Sequence, residues 1–238
     1  MTVTFYFTRH GETQFNVENR VQGWCDSPLT PKGMYDAYRL GAGLADVDFV
    51  GACSSDASRA RETLAIALES RRNERMRRHG EDPSFPVGPT VPMREDERLR
   101  EWCFGDLEGE PSRRLRNRLF DLFGDDIPRH EQNRRLDEIA DYLSDTDPAH
   151  RAEDFASITA RIEGFLDDCG RSVEKRGGGN VLVVSHAMLI RALVFLYARE
   201  RVASPAKIEN ASITKVVWND GAVSVGPIGT TAHLHAVR

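Results

Sequence analysis

Cysteine is sparse and scattered in this chain. Cys25, Cys53, Cys103 and Cys169 lie far apart in 238 residues, with no C-x-x-C spacing among them. That argues against a disulfide framework or a zinc ribbon and fits reduced, buried thiols. No apolar run approaches the roughly 18 residues that a membrane helix needs, and no secretory h-region precedes the first apolar stretch. A cytoplasmic location is therefore the expectation, with no membrane partner. Basic residues form no long stripe interleaved with aromatics, and the net charge is −5. Nucleic acid is accordingly not an expected partner. Internal repeats and low-complexity segments are also missing.

What is present is an alternation of strand-like and helix-like stretches in a chain that is 40% hydrophobic and 29% charged. This pattern fits one soluble α/β unit over 1–238. Val3 to Phe7 is β-branched and aromatic and predicts a buried strand. Phe49 to Ser54 predicts a second, and Asn180 to Ser185, through Val181-Leu182-Val183-Val184, a third buried on both faces. Thr30-Pro31 predicts a helix N-cap followed by proline in the first turn, with Met34, Ala37, Tyr38, Gly41 and Leu44 recurring at helical spacing. Ser58 to Arg72 carries Ala60, Leu64, Ala67 and Leu68 on one stripe. Phe155, Ile158, Ile162, Phe165 and Cys169 mark a long amphipathic helix, and Ala187 to Ala198 is apolar nearly all round. Ile213 to Trp218 and Ala222 to Val225 flank Asn219-Asp220-Gly221, which predicts a hairpin of edge strands.

Two stretches interrupt this rhythm. The basic run Arg71, Arg72, Arg75, Arg77, Arg78 and then Pro83, Pro86, Pro89 and Pro92 predict a helix end, a solvated face and an irregular loop. Residues 106–150 carry Leu115, Leu119, Leu122, Phe123 and then Leu136, Ile139, Tyr142, Leu143. They predict short helices that cap the ligand crevice.

The chemistry lies at the strand ends. Ligand crevices of open α/β sheets sit at the carboxyl ends of strands, and Thr8-Arg9-His10-Gly11-Glu12-Thr13 ends the first one. Attack on a phosphate monoester is opposed by the substrate's own negative charge, so it calls for fixed cations and a neutral nucleophile. Histidine serves when one ring nitrogen is free and the other is held as a donor. Arginine offers a planar, bidentate, permanently charged fork. Ser54 to Ala60 places Arg59 just beyond the second strand at a helix start, where backbone N–H groups favour an anion. Ser185-His186 ends the third strand and again opens a helix.

With these residues in order, the chain resembles the histidine phosphatase superfamily, also called phosphoglycerate mutase-like, in the branch of mutases and small phosphatases. The resemblance runs nearly end to end. It rests on Thr8-Arg9-His10-Gly11-Glu12-Thr13-x-x-Asn16, Gln22-Gly23-x-x-Asp26-Ser27-Pro28-Leu29-Thr30 and Ser54 to Thr63. Leu99-Arg100-Glu101, Phe104-Gly105-Asp106-Leu107-Glu108-Gly109 and Val183-Val184-Ser185-His186 complete it. It implies a three-layer α/β/α fold with a mostly parallel central sheet and a helical cap insertion at about 106–150. It also implies that His10 becomes a phosphohistidine, with Arg9, Arg59 and His186 clamping the phosphoryl group. Asn16 and the Ala187 backbone N–H would add phosphate contacts, and Gln22 and Gly23 would line the substrate side. Glu101 would be the proton donor, its pKa raised by burial and by the facing phosphate.

Glu95, Glu97 and Glu108 are read instead as solvated or helix-capping carboxylates, and Asn16 and Gln22 also suit loop hydrogen bonding. His79, His130, His150, His233 and His235 lack metal-ligand spacing, and with arginines supplying the charge no metal or other cofactor is expected. The expected activity is a phosphomonoesterase on a small phosphorylated metabolite. The alternatives are a cofactor-dependent phosphoglycerate mutase and a non-catalytic binding module of the same fold. Mutases of the family carry Gly-Asn-Ser after the second histidine, whereas Ala187-Met188-Leu189-Ile190-Arg191 is apolar here. Arg113, Arg114, Arg116 and Arg118 in the cap cannot all face one way on a helix; one or two could reach a second anionic group of the substrate. The sequence leaves homo-oligomerisation open.

Overall fold

The computed structural model describes residues 1–80 and 91–235. Pro83, Pro86 and Pro89, read from sequence as part of an irregular loop, lie outside the described residues. The chain runs through β1 (Val3–Arg9), α1 (Gln14–Val17), α2 (Pro31–Gly43), β2 (Phe49–Ser54), α3 (Ser58–His79) and β3 (Met93–Glu95). It continues through α4 (Ser112–Phe123), α5 (Arg129–Gln132), α6 (Leu136–Thr146), α7 (Phe155–Glu174), β4 (Gly179–Ser185), α8 (Ala187–Tyr197), β5 (Ile213–Asn219) and β6 (Ala222–Val225).

The strands form one sheet in the order β3-β2-β4-β1-β5-β6. β3, β2, β4 and β1 run parallel, while β5 is antiparallel to β1 and β6 antiparallel to β5. Alternation along β1 separates two cores, because successive side chains of a strand point to opposite faces. Val3, Phe5 and Phe7 pack with Phe165, Leu166, Leu189 and Leu193 of α7 and α8. Tyr6 packs on the other face with Leu40 and Leu44 at α2 and Leu64 of α3. The fold is thus α/β in three layers, as expected. Among the described residues no helix is long and apolar enough to cross a membrane.

Several sequence expectations change in detail. β5 is not an edge strand: it pairs with both β1 and β6, and of the two hairpin strands it is β6 that lies at an edge of the sheet. Its hairpin turn is the two residues Asp220 and Gly221, at φ 48° and 84°, the left-handed pair that the twist of a tight hairpin favours. On α2 the buried stripe runs through Gly33, Ala37, Leu40 and Gly41, whereas Met34 and Tyr38 are exposed.

The basic run forms the C-terminal end of its helix, but it is a solvated face only in part, with Arg72 and Arg77 exposed. α3 continues to His79, and Arg71, Glu74 and Arg75 are buried on it. Positions 71, 75 and 78 share one helix face, and that face meets the connection from α2 to β2. Arg71 donates to the Val47 carbonyl and lies over Phe49, Arg75 pairs with Asp48, and Arg78 pairs with Asp46. The arginine stems supply apolar contact while their heads satisfy loop carbonyls.

Candidate active site

Strand register brings the two histidines together. In the parallel pair of β1 and β4, Arg9 lies opposite Ser185, so the residues that leave the two strands, His10 and His186, emerge side by side. The His10 N–H donates to the Ser185 carbonyl at 3.0 Å, and the two rings sit with centroids 5.2 Å apart. β2 pairs with the other side of β4, and the Ser55 N–H donates to the Val184 carbonyl at 3.0 Å. That contact delivers the first turn of α3, with Arg59, to the same end of the sheet.

Each ring has a defined tautomer when neutral. His10 Nδ1 lies 2.7 Å from the Gly11 carbonyl oxygen, which only accepts, so Nδ1 carries the proton and Nε2 keeps its lone pair. Arg59 Nη2 lies 3.1 Å from His186 Nδ1. Guanidinium only donates, so His186 Nδ1 accepts and the proton is on Nε2. His186 Nε2 is buried without a partner among the described residues. Burial, reinforced by Arg59 and Arg9, holds the His10 pKa well below its ordinary value. Burial and Arg59 do the same for His186. Both rings are therefore neutral near pH 7, one presenting a nucleophilic lone pair and the other an N–H donor.

The cations are built in by backbone carbonyls. Arg9 Nη1 donates to the Ile208 carbonyl at 2.9 Å and its Nη2 to Asn16 Oδ1 at 3.4 Å, while its buried Nε has no partner among the described residues. Burial lowers the Arg9 pKa to about 10, against the opposing pull of Glu101 and Glu209; the group stays charged at neutral pH. Arg59 is fully buried. It donates to the carbonyls of Cys25 and Gly23 and forms an ion pair with Asp26 at 2.9 Å. Asp26 also accepts from Ser58 Oγ at 2.7 Å and so anchors the start of α3.

Glu101 is buried, with Oε1 accepting from the Trp102 and Leu189 N–H groups and Oε2 from that of Met188. Burial raises its pKa, opposed by the Met188, Trp102 and Leu189 amides. One oxygen, Oε2, is engaged by a single N–H and keeps a lone pair for a proton. The preceding segment is fixed by Arg161, which donates to the carbonyls of Arg98, Arg100 and Glu101 and pairs with Glu153 at 2.8 Å.

A cavity of about 370 Å³ is bounded by Arg9, His10, Asn16, Gln22 and Glu101 on its polar side and by cap residues including Leu115, Leu119, Leu136 and Leu143 on the other. Arg59 and His186 are fully buried and are not part of its wall. Asn16 has two roles. Its amide closes the capping box with Thr13 at the start of α1, and the same Oδ1 accepts from Arg9 and Asn210. Gln22 reaches the cavity while bridging Thr13 and Ser27. Gly23 does not line the cavity; it supplies a carbonyl to Arg59, and a Cβ there would sit 2.2 Å from Glu108 Oε1 and from the Trp102 carbonyl oxygen. Ala187 opens α8 directly after His186.

Glu108 corrects the sequence reading. It is not solvated: it is the C-cap residue of the short 3-10 turn at Gly105–Leu107, and its carboxylate accepts from the N–H groups of Gly23, Trp24, Cys25 and Phe104. It folds the loop whose carbonyls hold Arg59. Asp26, Arg161 and Asn210, which donates to the His10 carbonyl, were likewise not singled out from sequence. Asp26 stood within a motif block with no role attached, and Arg161 and Asn210 left no local signal. In the cap, Arg114 and Arg118 are drawn to Asp106, Arg113 is exposed outside the cavity wall, and Arg116 lines it. Among the described residues, no group of three or more His, Cys, Asp or Glu could hold a metal ion.

Comparison with known proteins agrees with this geometry. A family model described as the histidine phosphatase superfamily, branch 1, matches residues 5–228. The crystal structure of phosphoglycerate mutase from Bacillus anthracis is 34% identical with a TM-score of 0.86, over 98% of this chain and 96% of that one. YhfR from Bacillus stearothermophilus is 29% identical with a TM-score of 0.70, over 98% and 99%. The probable phosphoglycerate mutase GpmB of Shigella boydii is 29% identical over 238 residues, 97% of this chain and 94% of the relative. A chain that places two histidines and two arginines at one sheet end, and that matches this family model almost throughout, belongs to the histidine phosphatase superfamily, whose members are mutases and phosphatases of small phosphorylated substrates.

Proposed function

We propose that the protein is a phosphomonoesterase acting through a covalent phosphohistidine at His10. One observation carries this reading: His10 Nδ1 is pinned to the Gly11 carbonyl, which leaves Nε2 bare beside Arg9, Arg59 and His186. The Nε2 lone pair attacks phosphorus as the bond to the leaving oxygen breaks. Arg9, Arg59 and the His186 Nε2–H stabilise the charge on the non-bridging oxygens, with the Ala187 N–H and Asn16 beside them. Glu101, whose pKa is raised by burial, gives its proton to the leaving oxygen. It then takes one from the water that attacks phosphorus, breaking the N–P bond and releasing inorganic phosphate.

The second reading, a phosphoglycerate mutase, draws on the names of the Bacillus anthracis and Shigella boydii relatives. Against it stands the apolar Ala187-Met188-Leu189 turn after His186, where Met188 and Leu189 N–H groups are taken by Glu101. Assays of p-nitrophenyl phosphate and 3-phosphoglycerate side by side decide between them. Phosphate release from both supports the hydrolase, and isomerisation without release sinks it. An acid-labile phosphate on wild type that is absent from His10→Ala supports the covalent step; its absence from both rules that step out, and with no phosphate release either leaves a binding module.

A further inference from the structure

The four cysteines are scattered in sequence, but folding returns two of them to one place. Cys53 on β2 and Cys169 on α7 are both buried in the same apolar cluster, and both are free thiols. Parallel pairing of β2 with β3 sets Cys53 opposite Arg94, and residues opposite each other on neighbouring strands point to the same face of a sheet. That face packs on α7. The Arg94 guanidinium lies over the Phe165 ring, 6.0 Å from its centroid, and Cys169 follows Phe165 by one turn on the same side of the helix. A cavity of about 180 Å³ opens beside them, bounded by Cys53, Cys169, Arg94 and Arg176 together with the exposed Val50 and Met93. The exposed members place its mouth at the β3 edge of the sheet, with the thiols at its floor. It shares no residue with the cavity over His10.

The surroundings distinguish the two sulfurs. A hydrogen bond from Cys53, with Arg94 and Arg176 nearby, holds the Cys169 thiol below its ordinary value against the opposing effects of burial and Asp96. The same bond and burial push Cys53 up. A thiolate beside a guanidinium is the reactive form of cysteine, and a second thiol in contact can resolve its oxidised product. Cys25 and Cys103 lack this combination. Cys25 is the least buried of the four, but burial and the Glu108 carboxylate push its pKa up to about 12, and burial raises that of Cys103. We infer that Cys53 and Cys169 form a peroxide-reactive modification site, separate from the reaction at His10, with Cys169 as the attacking sulfur and Cys53 as the resolving one. The Cys169 thiolate attacks one oxygen of a hydroperoxide; the S–O bond forms as the O–O bond breaks, and the departing oxygen takes a proton from solvent. The Cys53 sulfur then attacks the Cys169 sulfenic acid. An S–S bond forms, the S–O bond breaks, and the hydroxide leaves as water with the Cys53 proton. The two thiols give up two electrons, and the peroxide is reduced to an alcohol, or to water when it is hydrogen peroxide. The disulfide ties α7 to β2, the strand that leads into the turn carrying Arg59.

Hydrogen peroxide added to the native protein in equimolar amount, followed by acid quenching, alkylation, digestion and mass spectrometry, reads the site directly. The expected product is a peptide pair joined through Cys53 and Cys169, lighter than the separate peptides by two hydrogens and released by dithiothreitol. Cys25 and Cys103 should remain alkylatable. Cys53→Ser should stop the reaction at a Cys169 sulfenic acid that dimedone traps, and Cys169→Ser should slow thiol loss at least tenfold. Arg94→Ala should slow formation of the joined pair at least fivefold, and Arg94→Lys should restore part of the rate. The wild-type product is read without any variant, so a serine variant that fails to fold does not hide the answer. Oxidation that begins at Cys25, as exposure alone would dictate, or at Cys103 overturns the inference. So does a Cys169 sulfenic acid that persists in wild type, a disulfide between two chains, or an Arg94→Ala rate equal to that of wild type.

Discussion

His10 and His186 stand at the ends of adjacent parallel strands in opposite tautomers, Nδ1–H donated to a carbonyl in one and Nδ1 accepting from Arg59 in the other. The same burial and cations that keep both rings neutral make them unable to take up a proton cheaply. The free lone pair of one ring and the N–H donor of the other are thereby set by one electrostatic environment rather than by two.

That environment has a consequence for stability. Both folded-state pKa values are depressed, so the unfolded chain, whose histidines titrate near 6.5, binds more protons below that pH. Stability is unaffected by these groups well above about pH 6.5 and falls as pH drops below it, by up to about 1.4 kcal/mol per pH unit for each histidine. Denaturant unfolding between pH 7.5 and 5 should show a steeper loss in wild type than in His10→Asn or His186→Asn. Equal slopes in all three would mean that the rings are not held neutral.

Glu108 should matter as much to activity as to folding. Its carboxylate gathers four N–H groups from two loops, one of which carries the Gly23 and Cys25 carbonyls that aim Arg59. Glu108→Gln turns one acceptor into a donor facing donors, which costs about 1–3 kcal/mol, and should lower kcat/KM at least tenfold. Gly23→Ala should do the same by steric means, since backbone oxygen blocks its Cβ. Thermal melts with kinetics check this; a stable, fully active Glu108→Gln would show that the loop holds itself.

Arg71→Ala and Arg72→Ala should separate, although both residues belong to one basic run. Arg71 loses its bonds to the Val47 carbonyl and its cover over Phe49, and a loss of about 1–3 kcal/mol is expected. Arg72 is exposed and should fall within about 0.5 kcal/mol of wild type. Urea midpoints for the two variants measure the difference, and equal midpoints would return the run to a solvated face.

What could be read from sequence follows from the range of the interactions. Arg9, His10, Arg59 and His186 were legible because each ends a strand, follows directly on one or opens a helix, so local pattern gives both residue and position. β1 and β4 were legible for the same reason, their apolar runs being continuous. β5 was misplaced because its pairing to β1 depends on a partner about two hundred residues away in the chain. Glu108 and the buried half of α3 were misread because carboxylates and arginines look solvated until the carbonyls and amides they satisfy are known. The buried cation Arg191 is held by the carbonyls of Val202 and Pro205, and no spacing rule encodes that.

Glu101 offers the sharpest test of mechanism. It is the buried carboxyl at the wall of the cavity, and burial raises its pKa even though three amides favour the charged form. If it protonates the leaving oxygen, its value depends on how badly that oxygen needs a proton. Glu101→Gln should lower kcat by about 10²–10⁴ for an alkyl phosphate. For p-nitrophenyl phosphate, whose phenolate leaves unaided, the loss should be at least tenfold smaller. In wild type the protonated acid is lost as pH rises through the elevated pKa, so kcat for the alkyl substrate should decline on the alkaline side, and Glu101→Gln should flatten that limb. A purely structural glutamate, needed only to hold Trp102, Met188 and Leu189, would reduce both substrates equally and leave the pH profile in shape. Steady-state kinetics on the two leaving groups, across pH, therefore separate proton transfer from scaffolding in one experiment.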